Sequence, residues 1–134
     1  MKKSTVIISI GIVIAVGIAL MYRGQMQNAG RMGRNISLPA LTPQQAKGEA
    51  LYNANCAACH GTNAVGSNVG PTLIHKYYEP GHHGDGAFFR AVKYGVRQHH
   101  WRFGNMPPLG KVTQKDVAQI ITYVRAIQFA NGIK

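Results

Sequence analysis

The only two cysteines of this 134-residue chain are separated by two alanines and followed at once by a histidine, Cys56-Ala57-Ala58-Cys59-His60. Thiols three positions apart on a helical turn can each add across a vinyl group of a haem, forming two thioethers. The next residue then lies under the porphyrin, with its imidazole available to the iron. The spacing reads as a covalent attachment site for one haem c, with His60 as a built-in axial ligand. Other uses of a cysteine pair fit less well. A thioredoxin-like redox pair needs a βαβ context, which the chain lacks. A structural zinc ion needs two more ligands at suitable spacing, and the other histidines are scattered. A disulfide across two residues would be strained.

A haem held this way needs a sixth iron ligand. Met1, Met21, Met26 and Met32 all precede the folded part of the chain, which leaves Met106 as its one thioether. Met106 stands in Gly104-Asn105-Met106-Pro107-Pro108, where two prolines restrict the backbone and suit a ligand held at constant distance. The alternative is a methionine filling the core. His/Met ligation raises the reduction potential and leaves no open iron position, which favours electron transfer over catalysis. Further imidazoles stand at His75, His82-His83 and His99-His100, the last pair beside Trp101 and Arg102. They read first as polar loop residues, then as contacts to haem propionates, then as a copper site of paired imidazoles, and last as bis-His iron ligands. Glycines on both sides of Asp85 predict a flexible loop there.

The elements that must position these groups are helical. Thr42, Pro43 and Gln45 form a capping box with proline at the first helical position, predicting a helix to about Tyr52 or Asn53. Asp85 can cap a short helix through Phe88, Ala91 and Val92 that stops at Gly95, a residue suited to a left-handed C-terminal cap. Thr113 caps the last helix with Asp116 at N3. Val117, Ile120, Ile121, Val124 and Ile127 then form a stripe at helical spacing. No stretch alternates at period two, so the domain is predicted to be all-α.

From Thr5 to Tyr22 the chain is uncharged and almost wholly apolar, a helix of roughly 27 Å at 1.5 Å per residue, which matches the hydrocarbon core of a bilayer. The run is longer than a signal-peptide h-region and Leu20-Met21-Tyr22-Arg23 offers no small-x-small cleavage site. It reads as an uncleaved signal anchor, with a cleaved signal peptide or a buried core helix as the alternatives. Lysines before it and arginines after it leave orientation open on charge alone. The predicted organisation is a transmembrane helix at 1–23, a linker at 24–38 rich in Gly, Asn, Gln and Arg, and a domain at 39–134.

Tyr52, the Cys56 to His60 motif, Gly70-Pro71-Thr72-Leu73, the Met106-Pro107 loop and a terminal helix carrying Tyr123 together resemble a class I c-type cytochrome, from about Leu41 onward. The resemblance implies a small cytochrome c fold of about four helices around one covalent haem, after a membrane anchor. It implies that Gly48 and Tyr52 cross the last helix near Ile120 and Tyr123. It also implies that the Pro71 carbonyl accepts the Nδ1 proton of His60, so that Nε2 faces the iron, with a plain turn at Gly70-Pro71 as the alternative. Haem attachment of this kind is similar to the bacterial process on the outer face of the inner membrane, which puts the domain in the periplasm.

The whole chain carries 15 Lys and Arg against 4 Asp and Glu, and from Pro39 onward the balance is +6. So few carboxylates argue against chemistry built on clustered acids. Lys76, Arg90, Lys93, Arg97 and Arg102 flank the haem motif and the methionine loop and predict a basic collar that steers an acidic docking face. A generic solvated surface or attraction to anionic lipid is the alternative. No nucleic-acid recognition motif is present. The expected function is a one-electron carrier, not an enzyme. It would take electrons from a quinol-oxidising complex or dehydrogenase and pass them to a terminal oxidase or reductase. A fixed haem subunit of a larger membrane oxidoreductase is the second reading, and a haem enzyme or sensor with a labile sixth ligand the third.

Overall fold

The computed structural model describes residues 11–21 and 36–134. The chain divides into two units, Met1–Arg34 and Asn35–Lys134. In the first, residues 11–21 form helix α1, with every side chain exposed. The rest of the expected membrane segment, and the expected linker as far as residue 35, lie outside the described residues. Among the described residues no helix is long and apolar enough to cross a membrane.

The second unit is all-α, as expected. Its helices are α2 (Pro43–Asn55), α3 (Ala57–His60), α4 (Asp85–Tyr94) and α5 (Gln114–Ala130), with single 3-10 turns at Thr62–Ala64 and Lys76–Tyr78. The only β pairing among the described residues is one isolated antiparallel bridge between Val96 and Met106. Both predicted capping boxes form. The Thr42 hydroxyl accepts the Gln45 N–H at 3.3 Å while Gln45 Oε1 accepts the Thr42 N–H at 2.9 Å. Thr113 and Asp116 make the same exchange at the start of α5. Each box satisfies two helix N–H groups that have no partner inside the helix.

α4 departs from expectation at both ends. Gly84, not Asp85, is its N-cap, and no side chain caps it. The Asp85 carboxylate is engaged elsewhere, by Nε of Arg125 at 2.9 Å, and Asp85 becomes the first helical residue, where its charge still complements the helix dipole. Gly95 ends the helix with positive φ, but in extended rather than left-handed helical geometry, φ 74° and ψ −176°. That region is open to glycine almost alone.

The core lies where α2 crosses α5. Val117, Ile120, Ile121, Val124 and Ile127 are all buried, so the predicted stripe is the inner face of α5, and Tyr123 and Gln128 join it. The resemblance placed Gly48 and Tyr52 on this crossing, and both are there. A Cβ at Gly48 would stand 2.1 Å from the backbone oxygen of Gln119, so only glycine lets the two backbones approach so closely. One turn on, the rings of Tyr52 and Tyr123 pack at 5.3 Å between centroids and 51°. Ala64 and Leu73 close the cluster from the loop after α3. At the chain's far end Asn131 is tied to Ser37 by two 2.8 Å hydrogen bonds, side-chain oxygen to N–H and side-chain amide to carbonyl.

Candidate functional site

α3 is one turn long and continues α2 through a break at Cys56, whose N–H donates to the Tyr52 carbonyl at 2.7 Å. The turn is held from both sides. The His60 N–H donates to the Cys56 carbonyl at 2.9 Å, and the Tyr52 hydroxyl donates to the Gly61 carbonyl at 2.9 Å. Cys56, Cys59 and His60 consequently face one cavity. Cys56 is half-buried and Cys59 exposed, and no disulfide joins them. As a thiol, before any thioether forms, Cys56 is pushed up to about 11 by burial, reinforced by the neighbouring Cys59.

His60 Nδ1 lies 2.9 Å from the Pro71 carbonyl. A carbonyl can only accept, so the proton is on Nδ1 and the Nε2 lone pair is free. Burial holds the imidazole below the usual histidine range, against the opposing pull of the Pro71 bond, which keeps the ring neutral and able to ligate. Pro71 is fixed by the loop it belongs to. The Leu73 N–H donates to Ala64 at 2.8 Å, the Thr72 hydroxyl donates to the same carbonyl at 3.0 Å, and the Gln128 amide donates to the Leu73 carbonyl at 2.7 Å. The buried polar residue of α5 therefore reaches across the core to hold the loop that orients His60.

Met106 is positioned by backbone. Its N–H and carbonyl exchange hydrogen bonds with Val96, each 2.9 Å, and the Leu109 N–H donates to the Val92 carbonyl at 2.8 Å, tying the following turn to α4. A Cβ at Gly95 would stand 2.4 Å from the Met106 oxygen, so the same glycine that ends α4 admits the methionine strand. The connecting loop is braced across itself: Asn105 Oδ1 accepts the Gln98 N–H at 2.9 Å and Gln98 Oε1 accepts the Gly104 N–H at 2.8 Å.

Cys56, Cys59, His60, Pro71 and Met106 all line one cavity of about 220 Å³, whose walls are otherwise Tyr52, Leu73, Phe88, Val92, Leu109, Ile120 and other mainly apolar side chains. Two thiols, a neutral imidazole with Nε2 free and a thioether around an apolar slot make a donor set that fits a covalently attached haem. His83, His99, His100 and Trp101 also reach the cavity wall, and the His75 ring packs edge-on to Trp101 with centroids 5.1 Å apart.

The loop expected to be flexible is instead clamped by Arg125, a residue that sequence reasoning passed over. Its Nη1 donates to the Tyr78 carbonyl and to Gln128 Oε1, its Nη2 to the His83 carbonyl, all at 2.7 Å, and its Nε to Asp85. The signal available in the sequence was a lone arginine directly after Val124 in the buried stripe of α5. Lys76, Arg90, Lys93, Arg97 and Arg102 are all exposed.

The chain is 34% identical over 91 residues to the Cbb3-type cytochrome c oxidase subunit FixP of Bradyrhizobium sp. (strain ORS 278), covering 66% of this chain and 31% of that protein. It is 33% identical over 119 residues to the Cbb3-type cytochrome c oxidase subunit CcoP of Rubrivivax gelatinosus, covering 84% of this chain and 37% of that one. The chain thus spans about a third of the length of the curated relatives it matches. No solved structure matches. Residues 45–128, well over half the chain, match the model of the cytochrome c family. The match runs from the first turn of α2 through the thiols, His60 and Met106 into the last turn of α5, and the chain belongs to that family and carries covalently bound haem c.

Proposed function

We propose that this protein is a membrane-anchored one-electron carrier of a bacterial respiratory or related electron-transport chain. Cys56 and Cys59 hold the haem by thioethers, His60 and Met106 are its axial iron ligands, and the Pro71 carbonyl orients His60. The observation that carries the reading is the convergence of all four donors on one apolar cavity, with Met106 pinned through its backbone to Val96. When bound, the haem supplies a one-electron couple. The chain's own residues keep the His60 ring neutral and aimed, hold the thioether at a fixed distance and keep water from the apolar walls. With two protein ligands on the iron no position is left for a substrate, so the protein acts as an electron carrier rather than an enzyme in its own right.

The division into an anchor at 1–23, a linker at 24–38 and a haem domain at 39–134 belongs to the same reading, supported by the apolar run Thr5 to Tyr22. It puts the domain on the periplasmic side of the inner membrane. The exposed bases Lys76, Arg90, Lys93, Arg97 and Arg102 suit acidic docking faces on a quinol-oxidising complex or dehydrogenase as donor and a terminal oxidase or reductase as acceptor.

Similarity to two oxidase subunits favours a second reading, in which the chain is a fixed haem subunit of a larger membrane oxidoreductase. Partners that stay bound through a high-salt wash would establish it; release by salt supports the carrier.

The test of the main reading is an optical spectrum of the purified protein, oxidised, reduced and reduced with CO, beside haem staining after denaturing electrophoresis. Haem that survives denaturation, a low-spin spectrum with the weak sulfur-to-iron charge-transfer band, and indifference to CO are expected. High-spin iron or rapid CO binding would overturn the His60/Met106 assignment.

A further inference from the structure

Three imidazoles outside the proposed iron ligands come together in space. The ring nitrogens of His82, His83 and His100, one from each, all lie within 4.8 Å of one another. We propose that these three residues form a binding site for a divalent first-row transition-metal ion, held most tightly as Cu(II), separate from the haem iron.

The geometry suits an ion. Nε2 of His82 and Nε2 of His100 face each other at 3.3 Å. Two nitrogens bound to one ion at about 2.0–2.1 Å stand roughly 3.3–3.4 Å apart in a tetrahedral set and roughly 2.9 Å apart as neighbours in a square-planar one, so the rings need move by no more than a few tenths of an ångström to hold either. The third ring is prepared for ligation from behind: His83 Nδ1 donates its proton to the Tyr77 carbonyl, which leaves Nε2 with its lone pair. Ligating histidines characteristically have such an outer partner, which fixes the tautomer and the ring plane.

The rings are also held in place without an ion. His100 stacks on Tyr77 with ring centroids 4.2 Å apart and planes 17° from parallel. The backbone carbonyl of His83 accepts from Arg125 Nη2 at 2.7 Å. The two halves of the site, 18 residues apart in sequence, are thereby fixed to the same frame, one through Tyr77 and the other through α5. The cluster contains no carboxylate. An all-imidazole set selects against Mg²⁺ and Ca²⁺, and among first-row divalent ions Cu(II) binds nitrogen donors most strongly.

The site uses none of the residues assigned to the haem, but His83 and His100 also line its cavity. If these imidazoles instead gripped the haem propionates, their nitrogens would be occupied in the haem-loaded protein and no ion would bind. The test therefore uses the full-length, haem-loaded, ferric protein in detergent, purified without a polyhistidine tag and titrated with Cu(II). One Cu(II) per chain is expected, able to displace Zn(II) bound beforehand, with an electron paramagnetic resonance spectrum split by at least two imidazole nitrogens. Losing an outer partner alone costs about 10–100-fold in affinity, so His82→Gln with His100→Gln should weaken binding by at least about 100-fold. Absence of binding, undiminished affinity in the double variant, or a spectrum with fewer than two imidazole nitrogens overturns the site. The last criterion needs only the wild-type protein. Haem staining of the same samples reports the haem independently.

Discussion

Val96 and Met106 exchange both backbone hydrogen bonds at 2.9 Å, making a single antiparallel bridge in an otherwise helical domain. The bridge fixes the methionine's backbone without using its side chain, so the sulfur can be removed while the loop stays folded.

Met106→Ala is therefore expected to keep the covalent haem and the fold. It should lower the reduction potential, because the thioether favours the ferrous state, and open the iron to CO. Potentiometry and a reduced-plus-CO spectrum check this. Unchanged ligation in the variant would mean that another residue supplies the sixth ligand.

Gly48→Ala tests the helix crossing. The new methyl would need space now taken by the Gln119 carbonyl 2.1 Å away, with Tyr123 Cβ at 3.0 Å on the same side. Neither neighbour is the flexible end of a side chain, so α2 and α5 must separate. Overpacking of this kind costs about 1–3 kcal/mol. Urea denaturation of the haem-loaded protein should show a lower midpoint with an unchanged slope. Stability equal to wild type would mean that the crossing is looser than described.

Much of this was legible in the sequence because it is local. The haem motif spans five residues, each capping box four, and the α5 stripe repeats at the helical period, so residue type and spacing sufficed. His60 against Pro71 and Gly48 against α5 became legible only through resemblance to a family, since neither pairing has a local signal. For Arg125 the sequence offered only its place beside the buried stripe of α5, which says nothing of its partners. Its partners Tyr78, His83 and Asp85 lie 40 to 47 residues away, and a run of glycines and histidines gives no hint that a guanidinium closes over its carbonyls. For the same reason Asp85 read as a cap, when its carboxylate is drawn to α5 instead. The meeting of His82 with His100 likewise depends on how two loops fold against each other, 18 residues apart in sequence.

The Thr113–Asp116 box gives a pH dependence. Hydrogen bonds from the Thr113 hydroxyl and N–H hold the Asp116 carboxyl below its ordinary value of 3.8. A carboxylate with a lowered folded value contributes stability that is fully present above the ordinary value and is lost as the pH falls through it toward the folded one. The acid limb of the stability curve should therefore carry an Asp116 contribution below about pH 4. Thr113→Ala removes the hydroxyl and keeps the N–H, so it should move Asp116 part of the way back toward its ordinary value and reduce its contribution to that limb. A carboxyl titration followed by NMR measures the shift directly, and an identical Asp116 curve in the variant would refute the box as its cause.

Arg125→Met tests the clamp. The change preserves the bulk of the side chain against Phe88, whose ring lies 5.1 Å from the guanidinium carbon, while deleting its donors. The bond to Asp85 is worth little, because that carboxylate is 62% exposed and surface ion pairs contribute about 0–1 kcal/mol. The larger loss comes from the Tyr78 and His83 carbonyls and Gln128 Oε1, which keep no charged donor. An unsatisfied buried acceptor costs about 1–3 kcal/mol. Water can reach the two loop carbonyls if the segment lifts away from α5, so the penalty should appear largely as local opening. Amide exchange between Tyr78 and Gly84 is expected to quicken, while α2 and the inner face of α5 stay protected. Because Gln128 also donates to Leu73, a smaller loosening should spread to the Pro71 loop and reach His60. Exchange rates unchanged at Tyr78 to Gly84 would show that the loop holds its shape without the arginine.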